Sequence, residues 1–123
     1  MLKLLPFCAA LLMAPADTIR AGAADPTLEI VTFRLIPAAN TADFVTAAQG
    51  TEAWLKRTQA VVARSLSVDD TGLWTDAVTW RSKADALKAA EEAMNRPEFA
   101  PFMALIDADT VDMRHAQILW QME

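Results

Sequence analysis

Residues 60–80, AVVARSLSVDDTGLWTDAVTW, decide the fold. Ala60 to Val68 is rich in residues that suit a pleated strand, and Leu73 to Trp80 alternates apolar and polar positions. Between them, Asp69-Asp70-Thr71-Gly72 reads as a turn, with a glycine free to adopt a positive φ. The segment is therefore a β-hairpin. On its second strand Trp74, Asp76, Val78 and Trp80 share one side, and Leu73, Thr75, Ala77 and Thr79 the other.

Upstream, Phe44, Ala47, Ala48, Thr51, Leu55 and Thr58 recur at helical spacing, which predicts one helix over 41–58. Asn40, with Asp43 three residues on, is suited to cap it. Before that lies Leu28 to Ile36, LEIVTFRLI, a strand ended by Pro37. Val31, Phe33 and Leu35 fall on one face, and Ile30, Thr32 and Arg34 on the other. Downstream, Ser82 and Asp85 form a second capping box, followed by Ala84, Leu87, Ala90 and Met94 as the expected inner stripe of a helix. Pro97 closes that helix and starts a short one with Phe99, Phe102, Met103 and Ile106 inward. Asp107-Ala108-Asp109 is expected to be a loop, and Val111 to Trp120 a last strand. The order β-α-β-β-α-β predicts an α+β, ferredoxin-like domain: a four-stranded antiparallel sheet with helices on one face.

The chain has 123 residues, 54% of them hydrophobic, a length for one domain and a composition that excludes disorder. At its N-terminus Lys3 precedes an apolar stretch from Leu4 to Ala16, and Ala21-Gly22-Ala23 supplies the small residues of a cleavage site. Those are the parts of a secretory signal peptide, in a stretch too short to span a bilayer. The expected organisation is a cleaved signal at 1–23, a short linker at 24–27 and the domain at 28–121, in a periplasmic or secreted protein with no membrane contact after cleavage. Cleavage takes away Lys3, Arg20 and Asp17, so the net charge of −5 becomes −6. With no basic stripe, nucleic acid is not an expected partner. The only cysteine, Cys8, goes with the signal. One histidine and no thiolate give no metal site and no redox chemistry of the chain's own.

Both sides of the Leu73–Trp80 strand carry bulk, and helices cover only one face of such a sheet. An uncovered apolar face predicts a homodimer.

The segment 80–102, WRSKADALKAAEEAMNRPEFAPF, resembles the antibiotic biosynthesis monooxygenase-like domains of the dimeric α/β-barrel superfamily. Trp80-Arg81-Ser82 occupies the place of that family's Trp-x-Ser, and Arg96-Pro97-Glu98-Phe99 that of its Ser-Pro-x-Phe-like helix start. Residues 29–34 and the last strand are also similar to the family, so the resemblance spans the mature chain. It implies a homodimer whose two sheets form a barrel, with a small-molecule pocket between sheet and helices in each subunit. Members include monooxygenases that need no cofactor and act on quinols or phenols, and haem-degrading enzymes. The departures matter. Ala89 stands where many members carry a histidine, 28–36 has no Asn, 83–95 no Trp, and no histidine precedes position 115, which disfavours haem degradation.

Few residues can carry chemistry. His115, the only imidazole, shares a strand face with Val111, Met113, Gln117 and Leu119. It is either a proton-accepting base for a phenol or a histidine held by a backbone carbonyl. Asp76 lies mid-strand between apolar neighbours and needs a partner if buried. Arg34, on the neighbouring strand, supplies one reading: a buried Arg34–Asp76 pair. In the other, Arg34 holds an anionic oxygen of the ligand while Asp76 orients it. Trp74 is either a stacking surface for a flat ligand or core. Met94, Phe99, Phe102 and Met103 wall the pocket. Three functions remain open: a cofactor-independent oxygenase of the quinol type with His115 as base, a non-catalytic small-molecule binder, and a structural dimer.

Overall fold

The computed structural model describes residues 25–123; the expected signal peptide lies outside the described residues. Strand β1 (Thr27–Leu35) leads to helices α1 (Thr41–Gln49) and α2 (Glu52–Arg57). The hairpin β2 (Val61–Val68) and β3 (Trp74–Trp80) follows, then α3 (Lys83–Ala93), a 3₁₀ turn (Pro97–Phe99), α4 (Ala100–Ala104) and β4 (Ile106–Gln117). The strands form one antiparallel sheet in the order β2-β3-β1-β4. This is the ferredoxin-like α+β arrangement.

Both predicted caps form. Asn40 Oδ1 accepts from the Asp43 amide at 2.8 Å, and Ser82 Oγ accepts from the Asp85 amide at 3.1 Å. At the hairpin turn, Gly72 takes φ of +87°, which a side chain would strain.

The core lies between the sheet and the helices. Phe33, Trp74, Val78 and Trp80 are buried on the helix side, against Phe44, Trp54, Phe99 and Phe102. Phe44 is the hub: edge-on to Phe33 (5.6 Å between centroids) and Trp74 (4.9 Å), and stacked on Phe102 (5.0 Å). Each such ring is worth roughly 1.5–3 kcal/mol of burial.

Four expectations are corrected. The helix at 41–58 is two helices, because buried Thr51 turns its hydroxyl back onto the Ala48 carbonyl (2.6 Å) and ends the first. The inner stripe of α3 is Ala86, Ala89 and Ala93, while Leu87 and Met94 are exposed. Residues 107–109 belong to β4, which takes five residue steps from Asp107 to Asp112 while β1 takes two from Arg34 to Thr32. That bulge is held by the Arg34 amide donating to Thr110 Oγ1 at 2.8 Å, and the strand stops at Gln117, short of Trp120. Finally, the bulk of β3 is one-sided: its three large residues are buried on the helix side, leaving only Thr75, Ala77 and Thr79 on the other.

Candidate active site

The register places four side chains in a row across the whole sheet, on the face toward the helices. Arg64 of β2 is opposite Val78 of β3, Val78 is opposite Glu29 of β1, and Glu29 is opposite His115 of β4. Three polar residues thus lie where the alternation demands core. Above this row is a cavity of about 280 Å³, closed by α2, α3, the 3₁₀ turn and α4. Its floor includes Glu29, Arg64, Asp76 and Val78, and its walls include Trp54, Trp80, Phe99 and Phe102. Met94, Met103, Val111 and Met113 also line it and are exposed, so they form its rim.

Each buried charge has a partner. Arg64 Nε donates to Asp76 Oδ1 at 2.9 Å and Nη2 to Oδ2 at 2.8 Å, while Nη1 donates to Thr51 Oγ1 at 2.8 Å. The guanidinium also lies 5.5 Å from the centre of the Phe102 ring. At the other end, His115 Nε2 is 2.9 Å from Glu29 Oε2. In the tautomer with hydrogen on Nε2, the imidazole donates to that oxygen. Glu29 Oε1 has no hydrogen-bond partner among the described residues. One buried donor is also unpartnered among them: Trp80 Nε1, in the cavity wall.

Sequence-predicted positions divide clearly. Asp76, Met94, Phe99, Phe102 and Met103 line the cavity. His115 does not; it stands behind Glu29. Trp74 is core, packed on Phe44, and not a cavity wall. Arg34 is the larger correction: it is exposed and clamps the hairpin turn, donating through Nη1 to the Thr71 carbonyl at 2.7 Å. Asp76 stands opposite Val31 and faces the helices; Arg34 lies on the opposite face, so the ion pair belongs to Arg64. Glu29 and Arg64 went unread, although each was legible by parity. Glu29 shares the face of Val31 and Phe33, and within the hairpin Arg64 shares the face of Asp76.

A wider depression of about 450 Å³ lies between α1, α2 and the edge strand β2, ringed by the exposed Glu52–Lys56 pair. Apart from Arg64, which it shares with the cavity, it is lined by no buried charge, and the floor row makes the smaller cavity the stronger site. Among the described residues, no three His, Cys, Asp or Glu side chains group as metal ligands would.

Solved structures share this fold. A variant of SnoaB, a cofactor-independent oxygenase from Streptomyces nogalater, superposes with a TM-score of 0.64 at 16% identity, covering 80% of this chain and 97% of that one. A Bordetella bronchiseptica protein named for antibiotic biosynthesis monooxygenases gives 0.63 at 15%, covering 78% and 99%. The chain has the same fold as these two proteins. A hydroxynitrile lyase from Passiflora edulis shares that fold too, with a TM-score of 0.57 at 12% identity over 81% and 99% of the chains. No family model and no curated protein matches the chain. One fold thus carries more than one chemistry, and function has to be argued from the cavity.

Proposed function

We propose that this protein is an exported, homodimeric oxygenase that needs no cofactor and acts on a small phenol- or quinol-type aromatic. The observation that carries the reading is an aromatic-walled cavity with Glu29 at its floor, backed by His115, whose Nε2 lies 2.9 Å from Glu29 Oε2. Export rests on the sequence of residues 1–23. The dimer is supported by the sheet face that no helix among the described residues covers, where Leu28, Ile30 and Ala77 are only half-buried.

Such a reaction needs a base, a site that excludes bulk water, and access for oxygen. The pair removes the hydroxyl proton of a phenol with a free para carbon. The phenolate gives one electron to O₂, and the two radicals join at the para carbon. The peroxide takes up the stored proton and the para C–H proton is lost as the O–O bond breaks. The sum is phenol plus O₂ to quinone plus water, with all four electrons coming from the substrate. One oxygen atom becomes the new carbonyl and the other leaves as water.

Oxygen uptake by the purified protein with 1-naphthol, whose para carbon is free, tests this. Uptake above the protein-free rate, with one water-stable quinone formed per O₂, supports the reading. Binding of the naphthol without uptake favours the non-catalytic binder.

A further inference from the structure

Glu29 is a carboxylate in a cavity that already has its ion pair. Arg64 is matched by Asp76 through two hydrogen bonds, so neither is a free charge for a ligand. That leaves Glu29, whose Oε2 is held by His115 and whose Oε1 has no partner among the described residues. That oxygen is not sealed off: among the described residues the one fully buried side-chain polar atom without a partner is Trp80 Nε1, so Glu29 Oε1 keeps contact with solvent and is open to a ligand. Glu29 is only 7% exposed, and it lines the cavity. The cavity therefore presents one acceptor atom at its floor and no uncompensated positive charge.

We infer that Glu29 Oε1 is the atom that receives a hydrogen bond, and then the proton, from the ligand, that His115 is a positioning residue behind it, and that the ligand is a neutral aromatic bearing a hydroxyl or amine. An anion placed there meets a carboxylate at short range, a like-charge juxtaposition that disfavours binding. The same logic removes two other bases. Asp76 has both oxygens on Arg64, and His115 Nε2 is spent on Glu29 and does not line the cavity. This rests on the cavity being the oxygenase site proposed above, but its binding arm is independent of turnover.

The test compares 2-naphthol with its anionic counterpart 2-naphthoate by quenching of tryptophan fluorescence, since Trp54 and Trp80 line the cavity. It is run where free imidazoles are neutral. The wild type should bind 2-naphthol roughly tenfold or more tightly than 2-naphthoate. Glu29→Gln, which preserves shape and removes the charge, should abolish that preference. His115→Ala should weaken 2-naphthol binding while keeping the preference, and His115→Gln, which restores an N–H donor, should recover the binding. Equal wild-type affinity for the two probes, binding of neither, or a preference unchanged in Glu29→Gln overturns the inference. The two proposals fail separately. Selective binding without oxygen uptake removes the oxygenase and leaves Glu29 as the ligand contact; undiminished uptake in Glu29→Gln removes Glu29 and leaves the oxygenase.

Discussion

Arg64 holds both carboxylate oxygens of Asp76, at 2.9 and 2.8 Å, across the β2–β3 hairpin, with the two side chains 17% and 10% exposed. Two charges withdrawn from water this far are stable only as a pair. Asp76→Ala leaves a buried guanidinium facing apolar walls, and is expected to cost about 3–5 kcal/mol. Arg64→Met with Asp76→Leu removes both charges and should recover most of that loss. Urea unfolding of the two variants checks this; equal destabilisation by the single and the double variant would show that shape, not charge, is what the site needs.

The hairpin turn carries its own pH response. Asp69 accepts from the Thr71 hydroxyl (2.7 Å) and from the amides of Thr71 (2.8 Å) and Leu73 (3.0 Å). The Thr71 hydrogen bond above all, then the two amides, hold its carboxyl below the ordinary aspartate value. A folded value below the unfolded one contributes stability that is complete above the unfolded value and lost as pH falls through the folded one. Asp69→Asn should therefore lower the melting temperature near neutral pH and flatten its acid decline. Parallel melting curves for the two proteins across the acid range would refute the assignment.

Gly72 closes the same turn at a φ of +87°, and a Cβ there would sit 3.5 Å from Arg34 Nη1. The space is ordinary; the backbone is not. Gly72→Ala is expected to cost about 1–2 kcal/mol through the left-handed conformation alone. Arg34→Ala, which removes only exposed contacts to the Thr71 carbonyl and hydroxyl, should cost much less. Thermal unfolding of both variants separates strain from the lost hydrogen bond.

What the sequence disclosed and what it hid follow one physical division. Strand alternation on β3 was legible because Trp74, Val78 and Trp80 are large and Asp76 is conspicuous among them. The same alternation put Glu29 with Val31 and Phe33, and His115 with Met113, but pairing across β1 and β4 is a long-range register that single-strand parity does not supply. Arg34 and Arg64 illustrate the point. Both are mid-strand arginines, yet only Arg64 is brought to the face of Asp76, by a hairpin whose register places Leu66 opposite Asp76. On α3 the pattern misled for another reason. Leu87 and Met94 outweigh alanine on any hydrophobicity scale, but they are exposed, and the face of the helix turned to the core carries Ala86, Ala89 and Ala93. Pocket volume was invisible altogether, since it depends on how far α3 stands from β1 and β3.

The last prediction comes from that inner stripe, because the alanines of α3 differ in what they face. Ala86 is fully buried and does not line the cavity above Glu29, whereas Ala93 is half-buried and does. A larger side chain at 86 has nowhere to go, so Ala86→Leu should overpack the core and cost about 1–3 kcal/mol. At 93 the added carbons enter space of about 280 Å³ that the fold already holds open. Ala93→Leu should therefore leave the unfolding midpoint near that of the wild type while weakening 2-naphthol. The two substitutions are chemically identical and two turns apart on one helix, so propensity cancels and only the surroundings differ. Should Ala93→Leu unfold as readily as Ala86→Leu, or bind 2-naphthol unchanged, the ligand space would have to lie elsewhere than between α3 and the Arg64–Val78–Glu29–His115 row.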